Sequence, residues 1–554
     1  MSAVASNFKT PLEMLYHWEK NKPDAIYLSQ PLKGEYRHWT WKEAGQEIRR
    51  IAAALKALNF PPKSNIALIS KNCAHWMMTD LAIMMAGHVS VPMYPNLHAE
   101  TVRYILEHSG AKAIFIGKLD DWDSMKSGLT EDILPISFPL YGPEGYNKWE
   151  DLAAKHTPME GEPNRDMDEI MTIIYTSGTT GTPKGVVHNF EALAFATTNA
   201  LKERLNPGPD GGRFFSYLPL SHIAERLLTG MGGMYSGGQV YFAESLDTFN
   251  KDLVTARPTI FLAVPRIWTK FKGAILSKMP QKKLNIFLKI PILSGIVKKK
   301  IQTNLGLDQV RHVISGAAPI APSLLEWYQK LGLDIQEAYG MTENAAYSHS
   351  NPKGKCKIGT VGTVMPGVEC KISDIGEILV KSKATMVGYY KQPAQTKETM
   401  TDDGYLKTGD QGEIDANGYL KITGRVKDIF KTAKAKYVAP SPIELKLSKN
   451  PYIEQVCVVG TGMPQPMALI VLSEEGAKME RSEIAASLKA TFAEVNPTLE
   501  NHEKLKKAII MKEAWTVEND LLTPSLKIKR NPLEKQFSPS YDAWYEDKEA
   551  VVWC

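Results

Sequence analysis

A run of glycines and hydroxyl residues that ends in a lysine is the clearest chemical signal in this sequence. It follows the apolar segment 173–175 and reads Thr-Ser-Gly-Thr-Thr-Gly-Thr-Pro-Lys from Thr176 to Lys184. Glycines let the backbone approach a ligand closely, and successive N–H groups and hydroxyls can surround an anion. A lysine adds a point charge suited to phosphate. The run therefore predicts a phosphate-binding loop, and a Gly/Thr-rich surface loop is the competing interpretation.

The P-loop of nucleoside triphosphatases does not fit this run. That loop has the pattern G-x-x-x-x-G-K-[ST], with the lysine directly after the last glycine. Here Gly181 is followed by Thr-Pro-Lys-Gly, so the hydroxyl that would hold magnesium is misplaced. The sequence therefore indicates a phosphate loop of another class.

Six further motifs with chemistry-bearing residues follow in order along the chain. They are Leu218–His222, Ser315–Pro319, Glu337–Glu343, Tyr405–Asp410, Gly424–Asp428 and Ser525–Arg530. Together with the glycine-rich run, they resemble the ordered motifs of the adenylate-forming (ANL) superfamily, over nearly the whole chain. The Glu-Arg pair after His222 resembles the AMP-binding acyl-CoA synthetases of the long-chain fatty acid–CoA ligase branch.

The resemblance implies ATP-dependent activation of a fatty acid, with a long chain favoured. The carboxylate would attack the α-phosphorus of ATP, expel pyrophosphate and form acyl-AMP, and coenzyme A would then take the acyl group as a thioester. ATP and coenzyme A are the expected co-substrates and Mg²⁺ the expected cofactor. Two alternatives stay open: a ligase that passes the acyl group to a carrier protein, and a non-catalytic nucleotide-binding relative.

The resemblance also assigns the nucleotide site. Thr176–Lys184 would hold the β- and γ-phosphates, Tyr339 would stack on adenine, and Asp410 would accept hydrogen bonds from the ribose hydroxyls. The implied ATP/AMP-binding residues are Thr176, Ser177, Gly178, Thr179, Thr180, Gly181, Lys184, Gly316, Ala317, Ala318, Tyr339, Gly340, Thr342, Asp410 and Arg425.

Three residues are the implied catalytic groups. Lys527 would stabilise the charge that develops at the α-phosphate, because a transition state of this kind needs cations and N–H donors. Glu343, with Thr176, would place Mg²⁺, a hard cation that prefers oxygen ligands. His222 would lie near the acyl carboxylate, in a positioning role rather than as a general base; a buried core histidine is the competing interpretation.

The helices and strands that must position these groups indicate an α/β fold. Short apolar runs alternate with helical patterns from about residue 40 to 340, which predicts mostly parallel, helix-covered sheets. After about residue 355, strand pairs with tight turns predict a small β subdomain. We expect a large N-terminal AMP-binding domain over 1–426 and a small, mobile α+β domain over 427–554, with Lys427 as the hinge by family analogy.

One segment departs from the family pattern. Many relatives carry a glycine pair where this chain has Lys434-Ala435-Lys436-Tyr437. In the family this stretch lines the pantetheine tunnel, so the departure puts the efficiency of thioester formation in doubt. Alternatively, Lys434 and Lys436 would bind the phosphates of coenzyme A.

Composition limits the classes of partner that the sequence indicates. Lys+Arg 66 against Asp+Glu 61 gives a net charge of +5 over 554 residues, too weak to indicate a nucleic-acid partner. The 12 histidines have no metal-ligand spacing, and no apolar run is long enough to span a bilayer. We expect a cytoplasmic protein. Nine lysines within residues 270–300 leave two interpretations open, a solvated basic face or peripheral contact with the inner face of a membrane. The oligomeric state is not predicted.

Overall fold

Two large sheets with helices around them form the centre of the molecule. The computed structural model describes residues 8–177, 182–524 and 526–554. In spatial order, the nine-stranded sheet consists of Thr363–Val364, His349–Ser350, Ile335–Tyr339, His312–Ser315, Ile260–Ala263, Arg213–Ser216, Gln239–Phe242, Ile26–Leu32 and Glu35–Thr40. The eight-stranded sheet consists of Gly388–Tyr389, Pro183–Asn189, Ile170–Ser177, Val89–Met93, Asn65–Ile69, Ala113–Ile116, Leu134–Ser137 and Asn147–Lys148.

The central strands of both sheets pair mostly in parallel and are buried on both faces. Asn65–Ile69 and Ile260–Ala263 are buried along their whole length. Strands covered by helices on both sides need continuous apolar runs rather than alternation, which is why these segments are recognisable in the sequence. The sequence pattern predicts a strand over residues 310–314, but the strand begins at His312. Val310 lies in a turn instead, because its N–H is bonded to the Leu307 carbonyl.

Helices connect these strands and cover them. The α-helices are Pro11–Asn21, Trp41–Ala57, Ala74–Met85, Ala99–Ser109, Trp122–Met125, Trp149–Lys155, Phe190–Glu203, Ile223–Glu225, Gly232–Ser236, Phe249–Ala256, Pro265–Lys278, Gln281–Lys289, Pro291–Asn304, Pro322–Lys330, Pro393–Thr399, Pro440–Leu447, Arg481–Val495, Arg530–Phe537 and Tyr541–Glu546. Single 3₁₀ turns occupy Lys126–Gly128, Thr342–Asn344, Gly476–Lys478, Asn496–Thr498 and Ser538–Ser540, and Arg226–Met231 is a π-helix.

Three smaller sheets follow in the last third of the chain. Glu369–Ile372, Glu377–Lys381, Leu406–Ile414 and Leu420–Arg425 form an antiparallel sheet. Its last two strands are joined by the predicted tight turn, in which Gly418 has φ 80° and donates to the Asp415 carbonyl. Phe430–Lys431 pairs with Tyr437–Val438, and a mixed sheet contains Ile453–Val459, Met467–Leu472, Lys507–Ile510 and Val551–Trp553.

The part of the chain after residue 427 has its own hydrophobic core. Ile484 and Leu488, from the helix Arg481–Val495, pack with Val458 and Ile470 of the mixed sheet, and all four are fully buried. The predicted boundary at 426/427 falls in the link between Leu420–Arg425 and Phe430–Lys431. Over the described residues, no helix combines the length and the hydrophobicity that crossing a bilayer requires.

Candidate active site

The phosphate loop connects two strands of an antiparallel hairpin. Ile170–Ser177 pairs with Pro183–Asn189, with Thr176 opposite Lys184. Gly178, Thr179, Thr180 and Gly181 lie outside the described residues, as does the side chain of Ser177. A P-loop leads from a strand into a helix, so the hairpin agrees with the exclusion of that class from the sequence.

Lys184 and Glu343 lie on either side of a tyrosine that sequence reasoning missed. Lys184 Nζ is 5.5 Å from the ring centroid of Tyr389, and the Tyr389 hydroxyl donates to Glu343 Oε1 over 2.8 Å. Burial and the charge of Lys427 lower the pKa of Lys184, and Glu343 opposes this. The arrangement places one cation and one carboxylate on either side of Tyr389, next to the loop end of the hairpin.

The donor set fits Mg²⁺ bound mainly through its substrate. Within the described ranges, no group of three or more histidine, cysteine or acidic side chains is arranged to hold a metal ion. Mg²⁺ is commonly bound by one or two carboxylates while phosphate oxygens and waters complete its shell. Glu343, oriented by Tyr389, supplies one such carboxylate.

Two parallel strands deliver the predicted walls of the nucleotide site to one sheet edge. His312–Ser315 leads into Gly316–Ala318, and its neighbour Ile335–Tyr339 leads into Gly340. Ligands of open α/β sheets bind outside such carboxyl ends. Ala317 has φ 65°, a left-handed conformation that costs an L-residue about 1–2 kcal/mol. A Cβ at Gly340 would lie 2.5 Å from the carbonyl carbon of Ala346, so only glycine fits there.

Asp410 is held by hydrogen bonds to both of its carboxylate oxygens. Tyr339 Oη donates to Oδ2 over 2.7 Å, and Arg425 Nε donates to Oδ1 over 2.8 Å from the opposite position of the neighbouring strand. Burial and then the charge of Asp410 raise the pKa of Tyr339, which keeps its hydroxyl protonated as a donor. Each carboxylate oxygen has a second lone pair available for another donor. The carboxylate is therefore fixed in place while it can still accept from a ribose.

His222 caps the short helix that follows it. Its Nδ1 accepts from the Ala224 N–H over 3.2 Å. Burial, and then the charge of Lys527, lower the pKa of His222 to about 4. The imidazole is therefore neutral at pH 7, with its proton on Nε2. A group with such a low pKa is a weak general base near neutrality, and the Nε2–H remains a hydrogen-bond donor.

Lys527 lies on a loop that is closed by two hydrogen bonds to Thr523. The Lys527 N–H donates to Thr523 Oγ1 over 3.0 Å, and the Thr523 N–H donates to the Lys527 carbonyl over 2.8 Å. Burial of the ammonium group and the charge of Arg425 lower the pKa of Lys527, whereas Asp410 and Glu343 raise it. The ammonium group therefore lies within electrostatic range of Arg425, Asp410 and Glu343. Its neighbour Lys529 instead pairs with Asp520.

Two side chains from the first hundred residues bond to the segment of the chain that carries Lys527. Asn96 Nδ2 donates to the Pro524 carbonyl over 3.3 Å, and His98 Nε2 donates to the Val517 carbonyl over 3.1 Å. Arg266 also pairs with Glu454. Sequence reasoning missed Asn96 and His98, because their partners are more than 400 residues away and no local pattern marks them.

The Glu-Arg pair after His222 has a structural role. Arg226 is fully buried and donates through Nη2 to both carboxylate oxygens of Asp80, over 2.6 and 2.7 Å. Burial raises the pKa of Glu225 to about 8. Methionines line a cavity of about 30 Å³ behind this segment: Met77, Met84, Met171, Met231 and Met234. A cavity of that size holds a water or two, so these methionines fill core space.

Comparisons with known proteins show which family the chain resembles. Residues 15–390 match the family model of AMP-binding enzymes, and residues 427–549 match that of an AMP-binding enzyme C-terminal domain. The chain is 29% identical to the long-chain-fatty-acid–CoA ligase FadD15 of Mycobacterium bovis over 96% of each chain. It is 30% identical to the peroxisomal long chain acyl-CoA synthetase 7 of Arabidopsis thaliana, over 93% of this chain and 82% of that one.

A solved structure shares the fold. The A domain of the carboxylic acid reductase from Segniliparus rugosus, solved with AMP and a co-purified carboxylic acid, is similar with a TM-score of 0.81 at 21% identity. The alignment covers 98% of this chain and 95% of that chain. This likeness confirms the predicted fold class.

Proposed function

The chain belongs to the family of AMP-binding enzymes in the ANL superfamily, and from this premise we propose that it activates a fatty acid with ATP and transfers the acyl group to coenzyme A. The observation that carries the proposal is the convergence of Lys527, His222, Asp410 and Glu343 from four separate segments. Each of the four supplies a group that the reaction requires. The curated relatives that are named as long-chain fatty acid ligases support a long acyl chain.

In the first step, the acid is held and its carboxylate attacks ATP. We assign the neutral His222 the role of donating Nε2–H to one carboxylate oxygen, which leaves the other oxygen free to attack. A bond forms between that oxygen and the α-phosphorus, and the bond from the α-phosphorus to the bridging oxygen of pyrophosphate breaks. Lys527 neutralises the added negative charge, and electrostatic stabilisation of this kind is the main catalytic contribution available for phosphoryl chemistry.

The remaining predicted residues hold the nucleotide in this proposal. Asp410 accepts from the ribose hydroxyls, Tyr339 stacks on adenine against Gly316–Ala318, and Thr342 bonds the α-phosphate. Lys184, with the loop 176–181, retains the departing pyrophosphate. Mg²⁺ would be held by Glu343, with Thr176 beside it, and would neutralise phosphate charge when bound.

In the second step, the thiol of coenzyme A attacks the acyl carbonyl. The thiol loses its proton to solvent as the carbon–sulfur bond forms, the bond from the carbonyl carbon to the AMP oxygen breaks, and AMP leaves with the electron pair. We propose that the part after residue 427 rotates about Lys427 between the two steps, so that Lys527 leaves the site. The side chain of Lys427 is exposed, which allows it to remain solvated in both orientations.

Acid-dependent exchange between ATP and labelled pyrophosphate tests the first step, with fatty acids from butanoate to octadecanoate. Product analysis with coenzyme A, and with a phosphopantetheinyl carrier protein in its place, tests the second step. Exchange that is strongest with long acids, and a thioester formed only with coenzyme A, are the expected results. Exchange without thioester to coenzyme A would overturn the second step alone, and absence of exchange with every acid would overturn the proposal.

A further inference from the structure

The segment 253–307, which ends in a pair of surface helices, carries a large excess of positive charge. Residues 253–307 contain nine lysines, two arginines and no acidic residue, a formal charge of +11. The total is +5, so the rest of the chain carries −6. Across the part of the chain that the structure describes, none of these nine lysines forms an ion pair, whereas Arg257 and Arg266 pair with Asp308 and Glu454. The lysine charge is therefore not neutralised within the protein.

Exposed apolar side chains lie in the middle of this basic segment. The helices Gln281–Lys289 and Pro291–Asn304 meet at Ile290 and pack against each other. Among the described residues, fifteen large apolar side chains are exposed. Five of them lie within positions 286–296: Ile286, Ile290, Ile292, Leu293 and Ile296. Ile292 is 80% exposed, and Ile286 and Ile296 are 59% exposed. Single exposed apolar residues are ordinary, but a contiguous group marks an interaction surface.

The two helices separate an inner face from an outer one. Leu284 and Ile301 are buried against the core that contains Trp268 and Tyr328. Ile292 and Ile296 are four residues apart, so they share one face of their helix, and Lys299 and Lys300 continue that face by a further turn. Ile286 lies four residues after Lys282 on the other helix. The core packing of these helices is therefore complete without the exposed isoleucines, which point away from it.

We propose that this surface, residues 282–300, docks the protein on an anionic lipid membrane. The isoleucines around Ile290 enter the boundary between headgroups and acyl chains, and Lys282, Lys283, Lys289 and Lys298–Lys300 bind lipid phosphates around them. Interfacial helices combine an apolar face with lysine-rich flanks in this way. A nucleic acid would also attract the lysines, but it offers no apolar environment for five isoleucine and leucine side chains. Docking would bring the enzyme to the phase in which a long acyl chain dissolves, because apolar chains leave water.

Vesicle co-sedimentation of the full chain tests the proposal. The vesicles consist of phosphatidylcholine alone, or with about 30% phosphatidylglycerol to set a negative surface potential. Two variants address the two halves of the surface: K298Q/K299Q/K300Q removes charge, and I292S/I296S removes apolar area. The matched control K478Q/K489Q/K512Q removes the same charge from exposed lysines elsewhere.

Strong binding to anionic vesicles and weak binding to neutral ones is the expected result. A lysine near an anionic surface contributes about 1 kcal/mol, so K298Q/K299Q/K300Q should weaken partitioning roughly a hundredfold. The I292S/I296S variant should also weaken partitioning, and the control should change it by less than the basic variant. Equal binding of the basic variant and the control would overturn the proposal. Binding of a DNA duplex that competes with vesicles and is unaffected by I292S/I296S would overturn it too. Pyrophosphate exchange in detergent-free buffer should be unchanged in all variants, which separates this result from the fate of the proposed function.

Discussion

The nucleotide site and the Lys527 loop are built in opposite ways. At the nucleotide site, both carboxylate oxygens of Asp410 are bonded and Glu343 is oriented by Tyr389, all within the first 425 residues. Lys527 lies on a loop outside this framework, and its segment meets the rest of the molecule through a few long-range contacts such as those of Asn96 and His98.

This difference separates the groups that bind the nucleotide from the lysine that is delivered to it for one step. Groups that bind the nucleotide throughout the reaction gain from rigid positioning, because their geometry must not change between steps. A group that acts in one step and then has to leave gains from weak attachment, since a two-state element with a small energy gap can be shifted by ligands. Substitutions in the two regions should therefore affect different steps.

Replacing Lys527 should give the largest effect. Lys527→Ala removes the cation from the developing phosphoryl charge, and loss of one such group typically costs about 10²–10³-fold in rate. We expect pyrophosphate exchange to fall by that factor while thiolysis of preformed acyl-AMP is retained. Rapid-quench measurement of each half-reaction checks the separation.

The control for this prediction is Lys512→Ala, which removes an exposed lysine from the same part of the chain. It should leave both half-reactions unchanged. If Lys527→Ala reduced exchange and thiolysis equally, Lys527 would belong to the rigid site, and the comparison between the two regions would fail.

Replacing Asp410 should affect nucleotide binding in both steps. Asp410→Asn keeps the size of the side chain but removes its charge, leaving the bond from Arg425 without a charged acceptor. Hydrogen bonds to charged groups contribute about 1.5–3 kcal/mol, so the KM for ATP should rise roughly ten- to a hundredfold. The matched control Asp403→Asn alters an exposed carboxylate paired with Lys371 and should leave the KM unchanged. A change in kcat alone would contradict the assigned role in binding.

Most of the sheet framework can be predicted from the sequence because its cause is local. Ile66–Ile69 and Ile260–Ala263 are continuous apolar runs, and both lie in buried strands. The nucleotide-site residues were nominated through their motifs, but their mutual bonds were not. Tyr389, Asn96 and His98 were missed because each acts through a partner distant in sequence, and a lone tyrosine, asparagine or histidine carries no periodic signal.

Weakening the contacts that hold the Lys527 loop should give a smaller effect limited to adenylation. Asn96→Ala and His98→Ala each remove one hydrogen bond to a loop carbonyl, and such a bond is worth about 1 kcal/mol, or fivefold. Exchange should fall by about that factor for each variant, with the KM for ATP unchanged. Asn21→Ala, which removes an exposed hydrogen bond to the His17 carbonyl in its own helix, is the control. A larger loss in thiolysis than in exchange would show that these residues do not act by holding the loop.

The smallest effect is expected at Ala435, in the turn that departs from the family's glycines. Ala435 has φ 55° and donates to the Thr432 carbonyl. Glycine would remove the conformational free energy of about 1–2 kcal/mol that an L-residue pays in the left-handed region. The extra backbone entropy of glycine in the unfolded chain would offset this by about 0.5–1 kcal/mol. Ala435→Gly should therefore stabilise the protein by about 1 kcal/mol or less in denaturant unfolding.

Ala433 provides the matched control, because it lies two residues away without a positive φ. Ala433→Gly should destabilise, since only the entropic cost applies to it. If the methyl group of Ala435 narrows the approach of the thiol, Ala435→Gly should also speed thiolysis of acyl-AMP by a small factor while leaving exchange unchanged. A gain in exchange instead would mean that this turn acts on the rigid site, and the division between binding and delivery would need to be redrawn. The same sign of stability change in both glycine variants would contradict the argument from backbone strain.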